Sequence, residues 1–274
     1  MAGPDRYVLF GHPVSHSWSP FIHGMFARQT GASVDYRLVD VAPARFRKTV
    51  LEFFVGGGLG ANVTLPHKPA AAELVNELTP RAARARAVNT IAVKPEDKLL
   101  GDNTDGAGLV TDLRQNLGVT LAGKRILLLG AGGAVRGVLA PLLAERPTLM
   151  LIANRTAGRA QDLAAEFADL GTIEGGGLDA AGSLAWDVVI HATSASLAGE
   201  VPELPRSALG PASVCYDMAY GRGDTPFQRW AAARGVRRAY KGWGMLVEQA
   251  AESWHLWRGS RPDTRPVLAA LATL

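Results

Sequence analysis

Cysteine is nearly missing from this chain: among 274 residues only Cys215 occurs. An internal disulfide and any cysteine-built metal cluster are thereby excluded. Cys215 lies in ASVCYDM, an apolar run that reads as a buried strand, so packing is its expected role. Lysine is scarce too, with six residues against 23 arginines. No apolar stretch is long enough to span a membrane, and no run of like charges occurs. The net charge of +4 and pI of about 9.4 are spread along the chain. So diffuse a charge makes no nucleic-acid stripe, but it suits a small anionic ligand. The opening MAGPDRYVLF has Asp5 and Arg6 ahead of its apolar run and no cleavage signature, so a cytoplasmic protein is expected.

What is present alternates. RYVLFG, DYRLVDV and GANVT read as strands, separated by the helical patterns SPFIHGMFARQTG and PARFRKTVLEFFVGGG. Ser19 is the expected N-cap of the first helix, with Pro20 at its first position and Gly31 closing it. KPAAAELVNEL reads as a further helix, and VNTIAVKPEDKLLGDN as a hairpin turned at PED. This rhythm predicts an α/β fold with a mainly parallel sheet covered by helices. The helical segment TDGAGLVTDLRQNLG, near 106–117, is the natural boundary between two domains. After it KRILLLG, TLMLIAN, WDVVIHA and SVCYDMA repeat a βαβ rhythm of the doubly wound, Rossmann kind. Two helical stretches, GMLVEQAAESWHLWRG and RPVLAALATL, finish the chain; Trp243, Trp254 and Trp257 in this region are expected in the core.

LLLGAGGAVRG sets Gly130, Gly132 and Gly133 directly after a buried strand and at the start of a helix. Small residues there let the backbone approach a pyrophosphate, which the helix N-terminus then holds. The usual third glycine is replaced by Val135. The next strand ends in LIANRTAGR, where a protein specific for the unphosphorylated dinucleotide would carry a carboxylate for the ribose 2′-hydroxyl. Asn154, Arg155, Thr156 and Arg159 stand there instead. Two guanidinium groups suit a 2′-phosphate, so NADP(H) is the expected cofactor.

NVTLPHK places Lys68 on a loop after a strand, in a chain that otherwise uses arginine. An ammonium can exchange its proton where a guanidinium cannot. Together with FGHPVSHSWSPFIH, AVNT, GDNTDGAG, LGAGGA, NRT, YDMAYGRGDTPF and GWGMLVEQAAESWHLW, in this order and spacing, the sequence resembles shikimate dehydrogenases along nearly its whole length. That resemblance implies a substrate-binding domain of residues 1–105, completed by C-terminal helices within 241–274, and an NADP-binding domain of 106–240. It implies reversible NADPH-dependent reduction of 3-dehydroshikimate to shikimate, on the route to aromatic amino acids, by a monomer or homodimer. It assigns Lys68 and Asp105 as the catalytic pair. Ser15, Ser17, Thr64, Asn89, Tyr220 and Gln249 would line the substrate pocket with Asp105. Ala131, Ala134, Thr193, Met218 and Gly242 would join the glycines and the Asn154–Arg159 group around the cofactor.

The chemistry agrees with this assignment. Hydride arriving at a ketone puts negative charge on its oxygen, which calls for a cation that can also give a proton. Hydroxyl and amide side chains suit the hydroxyls and carboxylate of the substrate. Some positions depart from the family pattern: His12 replaces Asn, Pro80 an acidic residue, and His191 and Ser196 in HATSAS replace Asn and Gly. His12 and His16 have a spacing open to a metal, but Pro13 argues against the helix that would align them, and no metal is expected. Other readings are a dehydrogenase that also takes quinate or prefers NAD, and a dinucleotide sensor without turnover. Intact Lys68 and Asp105 count against the sensor.

If Arg155 and Arg159 hold the 2′-phosphate, replacing both with Gln raises the Michaelis constant for NADP and leaves that for NAD almost unchanged. Charge-assisted bonds of this kind are each worth about 1.5–3 kcal/mol. Steady-state kinetics with both dinucleotides checks this, and an unaltered preference for NADP refutes it.

Overall fold

The structure, a computed structural model, describes residues 3–193, 201 and 203–273. It divides into two compact units. One comprises Met1–Gly108 and Val247–Ala272, the other Leu109–Leu246 with Thr273–Leu274.

The first unit opens with β1 (Asp5–Gly11), whose Tyr7–Phe10 are buried because the sheet is covered on both faces. α1 (Ser19–Thr30), β2 (Val34–Asp40), α2 (Phe46–Val55) and β3 (Gly60–Val63) follow. Then come α3 (Lys68–Leu74), β4 (Glu77–Leu78), α4 (Pro80–Ala85), β5 (Thr90–Val93), β6 (Leu99–Asp102) and α5 (Asp105–Thr111). The strand order is β2-β1-β3-β5-β6-β4. β1 pairs parallel with β2 and β3, and β4 with β6, while β3–β5 and β5–β6 are antiparallel. The hairpin at PED is thus the break in an otherwise parallel arrangement. Phe10, Phe46, Val50, Val63, Val88 and Ile91 form the core between sheet and helices.

Two local expectations are corrected. The N-cap of α1 is Trp18, and Ser19 lies inside the helix without a capping side chain. Its N–H is satisfied one step earlier, by Ser17 Oγ at 3.2 Å. The expected helix over KPAAAELVNEL stops at Leu74. Asn76 exchanges bonds with Leu99, its N–H to the carbonyl at 2.9 Å and its Oδ1 accepting the Leu99 N–H at 2.8 Å. These bonds draw the following residues into β4. α1 does end at Gly31, whose φ of 69° is left-handed.

The second unit continues α5 through a π-helical turn at Asp112–Asn116. It contains β7 (Arg125–Leu129), α6 (Gly133–Ala144), β8 (Leu149–Ala153), α7 (Ala157–Phe167) and β9 (Ile173–Gly176). After these come β10 (Trp186–His191), β11 (Leu209–Asp217), α8 (Pro226–Ala232) and β12 (Arg238–Lys241). All strand pairs are parallel, in the order β12-β11-β10-β7-β8-β9. Sequence order reverses between β7 and β10, the switch point where such sheets bind ligands. Val135 is fully buried with Val138, Leu139 and Leu142, which explains why a valine fills the third-glycine position. Cys215 is buried in β11, where desolvation pushes its thiol up to about 12, so it stays protonated and inert.

The chain closes with α9 (Trp243–Arg258) and α10 (Arg265–Leu271). Within the first unit Trp254 is buried, and Trp257 donates to Ile91 O at 2.9 Å. A Cβ on Gly60 would lie 2.4 Å from the Trp257 ring, so β3 needs glycine there to let the indole lie flat on it.

His23 of α1 is 1% exposed and stacks on Tyr36 at 4.4 Å and 11°. Neither ring nitrogen has a partner at hydrogen-bonding geometry. Burial lowers its pKa to about 3, with Asn62 alone pulling weakly the other way. The unfolded chain takes up a proton near pH 6.5 that the folded state refuses, so stability is full above that pH and falls as pH drops toward 3. Between pH 7 and 4.5 this residue alone removes about 2–3 kcal/mol. His23→Phe should flatten that part of the pH dependence in urea denaturation; equal losses in variant and parent would refute it.

Candidate active site

Lys68 and Asp105 meet in the first unit, Nζ to Oδ2 at 2.5 Å, with side chains only 12% and 8% exposed. Each is held from both sides. Lys68 begins α3; the preceding His67 donates its Nε2–H to Val41 O at 2.7 Å and stacks on Phe46, while the Val88 N–H binds Lys68 O at 2.9 Å. Burial lowers the His67 pKa, which suits a neutral packing group. Asp105 begins α5, where a carboxylate complements the positive end of the helix dipole. Three residues earlier, Asp102 is 1% exposed and takes bonds from Arg81 and Thr79 Oγ1. Burial works to raise its pKa, but the Arg81 and Thr79 bonds outweigh it and hold the carboxyl below the ordinary range. Pro80, at the first turn of α4 after the Thr79 cap, thereby helps place Arg81.

A buried polar chain leads away from Asp105. Asn89 Nδ2 donates to Asp105 Oδ1 and to Thr104 Oγ1, both at 2.8 Å. Its Oδ1 accepts the Thr104 N–H at 2.8 Å and the Thr90 hydroxyl at 2.9 Å. Thr90 Oγ1 lies 2.8 Å from Ser253 Oγ, which accepts from Asn62 Nδ2 at 3.0 Å. Asn62 Oδ1 in turn accepts the Tyr36 hydroxyl at 2.8 Å. Gln249 Oε1 joins from α9, 3.3 Å from Asn89 Nδ2. Asn62, Thr90, Thr104 and Ser253 are members of this chain that the sequence reading left unremarked. One signal was available: Gln249 and Ser253 are four apart on a helix, hence on one face.

The remaining expected substrate residues are less tied. Ser15 is exposed in the loop before α1, Ser17 Oγ lies 3.1 Å from Ser19 Oγ, and Thr64 is half-buried at the end of β3. Tyr220 belongs to the second unit, its ring 4.9 Å from that of Trp243. His12 is engaged by Asp40, Nδ1 to Oδ1 at 2.6 Å.

In the second unit Gly130 has φ 113°, a conformation closed to other residues, and turns the chain from β7 into the loop before α6. Cβ atoms on Gly132 or Gly133 would meet nothing within 4 Å, so the loop's outer face and the start of α6 are open to a phosphate. Ala131 and Ala134 complete this small-residue turn. Asn154 Nδ2 donates to Thr156 O at 3.0 Å after β8, bending the loop that carries Arg155 into α7, whose first turn carries Arg159. Both arginines are exposed, and neither forms an ion pair among the described residues. These features fit a 2′-phosphorylated dinucleotide. Beyond β10 and β11, the Met218 N–H binds His191 O at 2.9 Å and the Gly242 N–H binds Ala219 O at 2.9 Å. Thr193 Oγ1 lies 2.7 Å from His191 Nε2. Ser196 lies outside the described residues.

A switch-point nucleotide sheet, and an α/β unit with a buried lysine–aspartate pair, define an oxidoreductase of the two-domain, NADP-dependent kind. Residues 9–91 match the shikimate dehydrogenase substrate binding domain, 112–199 shikimate / quinate 5-dehydrogenase, and 242–272 the shikimate 5′-dehydrogenase C-terminal domain. The shikimate dehydrogenase (NADP(+)) of Methylococcus capsulatus is 54% identical over 271 residues, covering 99% of this chain and 97% of its own. That of Aeromonas salmonicida is 56% identical over 267 residues, covering 97% of each. The structure of shikimate 5-dehydrogenase from Thermus thermophilus with NADP(H) and shikimate superimposes with a TM-score of 0.86 at 31% identity, covering 98% of this chain and 99% of that one. The chain belongs to the shikimate/quinate 5-dehydrogenase family.

Ser253→Ala removes one hydrogen-bond partner each from the Asn62 amide, which keeps Asn89 O and Thr90 Oγ1 at 3.2 Å, and from the Thr90 hydroxyl, which keeps Asn89 Oδ1. It should lower stability by about 0.5–1.5 kcal/mol while NADPH binding, made by the other unit, is unchanged. Urea denaturation beside a fluorescence titration checks both; unaltered stability would mean water or repacking replaces the hydroxyl.

Proposed function

We propose that the protein catalyses the reversible NADPH-dependent reduction of 3-dehydroshikimate to shikimate, with Lys68 and Asp105 as its proton-handling pair. The observation that carries this reading is their 2.5 Å contact at a nearly buried position, fixed by Asn89. The dinucleotide, when bound, supplies the hydride. Lys68 meets the charge that develops on the C3 oxygen and delivers a proton to it. An ammonium has three N–H groups; Asp105 takes one, which leaves donors for the substrate. Asp105 keeps the ammonium in place and shares its proton in the reverse direction. Asn89, whose amide is spent on Asp105 and Thr104, acts mainly by orienting the carboxylate. Ser15, Ser17, Thr64, Tyr220 and Gln249 supply hydrogen bonds for the substrate's hydroxyls and carboxylate, and Gln249 is pre-set by its contact with Asn89. Gly130–Ala134, Asn154, Arg155, Thr156 and Arg159 bind the dinucleotide, and Thr193, Met218 and Gly242 flank it. The substrate domain is residues 1–105 with the C-terminal helices, and 106–240 form the NADP domain.

Lys68→Ala should lower kcat by orders of magnitude with NADP binding near normal. Lys68→Arg should rescue little, because a guanidinium keeps its proton and its fork is broader than the ammonium it replaces. Asp105→Asn should also cut kcat, and the double variant should be little worse than either single one, as expected of residues acting as a unit. Assays with shikimate and NADP, and with quinate in parallel, test this. Parental turnover in Lys68→Arg would show that charge alone suffices and overturn the assignment.

A further inference from the structure

His191 and Asp217 end neighbouring parallel strands and are paired in register. Both are fully buried, and His191 Nδ1 lies 3.2 Å from Asp217 Oδ1. That oxygen also accepts the Ala219 N–H at 3.1 Å. The imidazole stacks on Phe227, ring centroids 4.7 Å apart. Its other nitrogen, Nε2, reaches Thr193 Oγ1 at 2.7 Å. Such a relay stands at the one point of the sheet where strand order reverses, and nothing in the proton chemistry of Lys68 uses it.

We propose that His191, gripped by Asp217, is a positioning residue that fixes the Thr193 hydroxyl as a hydrogen-bond acceptor for the nicotinamide half of the dinucleotide. This role rests on NADP binding by this unit. A carboxylate accepts only, so the hydrogen of a neutral imidazole sits on Nδ1 and Nε2 is bare. The bare nitrogen takes the Thr193 O–H, and the one proton of that hydroxyl is committed inward. What Thr193 has left to offer is lone pairs. The methyl end is fixed as well: Thr193 Cγ2 would lie 3.2 Å from a Cβ on Gly130, so it is packed against the first turn of the glycine loop. Both ends of a normally free rotor are thus held. The 2′-phosphate group of residues follows β8, on one side of β7; the other half of a dinucleotide across this switch point falls on the β10 side, where Thr193 is. The matching chemistry is a donor, either the carboxamide N–H or a hydroxyl of the nicotinamide ribose.

The test is binding measured by tryptophan fluorescence without shikimate, using NADP, its 3-acetylpyridine analogue (which lacks the carboxamide N–H) and 2′,5′-ADP (which lacks the nicotinamide half). His191→Phe keeps the ring on Phe227 and removes both nitrogens; Thr193→Val removes only the hydroxyl. Each should weaken NADP about five- to tenfold, the worth of one hydrogen bond, with the double variant no worse and 2′,5′-ADP unaffected. If the donor is the carboxamide, the parent's preference for NADP over the analogue disappears in both variants. If it is the ribose, both ligands weaken equally. Parental NADP affinity in His191→Phe, or loss of 2′,5′-ADP binding in it, overturns the positioning role. Failure of the parent itself to bind 2′,5′-ADP would instead overturn the cofactor reading.

Discussion

A carboxylate that is 8% exposed survives in a protein interior only if its oxygens are occupied, and Asp105 is occupied on both. An unpaired buried charge would cost about 3–5 kcal/mol. The same constraint explains why so much of the first unit is polar inside. Asn89 must face Asp105, so its own carbonyl needs Thr104 and Thr90; Thr90 needs Ser253; and Asn62 and Tyr36 close the chain near α1. The interior around the sheet is therefore one hydrogen-bonded train with a charge pair at its end. A fully satisfied network of this type rigidifies what it touches, here the Lys68–Asp105 pair.

The second unit solves the opposite problem. Its sheet is apolar on both faces, with Leu127–Leu129, Leu151–Ala153 and Val188–Ile190 buried, and its polar groups are gathered at the strand ends. Gly130, Asn154, His191 and Asp217 all stand where a strand stops. Packing thus fixes the platform and leaves the ligand chemistry to loops, in contrast to the first unit, where chemistry reaches into the core.

The strands with strong apolar runs, both terminal helices, the PED hairpin and the glycine turn were legible in the sequence because each is a local pattern. Lys68 and Asp105 were legible as residues, and their contact follows from β3 and β6 delivering two loops to one edge. Harder to see were β4, α4, β9, α8 and β12, each of two to seven residues, too short for periodicity to register. Asn76 is an example: it ends the α3 pattern through bonds to Leu99, 23 positions away, which no window of sequence contains. The polar chain was hidden for the same reason. Ser253 and Asn62 are 191 positions apart, and a serine on an apolar helical face reads as an ordinary surface residue until its partners are known.

The first unit is discontinuous, with Leu109–Leu246 inserted between its two parts. The missing part is not decoration. Ser253 completes the polar chain, Trp257 lies on β3 through Gly60, and Arg258 binds Asp5 at 2.7 Å. During synthesis, then, the N-terminal sheet emerges first yet is finished last. At about 5–20 residues per second, the ribosome adds the whole nucleotide-binding unit while β3 still lacks its tryptophan cover. The stretch Leu109–Leu246 of that unit is continuous in sequence and can close on itself in the interval. The unit that carries the buried Lys68–Asp105 pair is thus a waiting half, exposed to chaperones and proteases for seconds, and any truncation that removes α9 keeps it waiting for good.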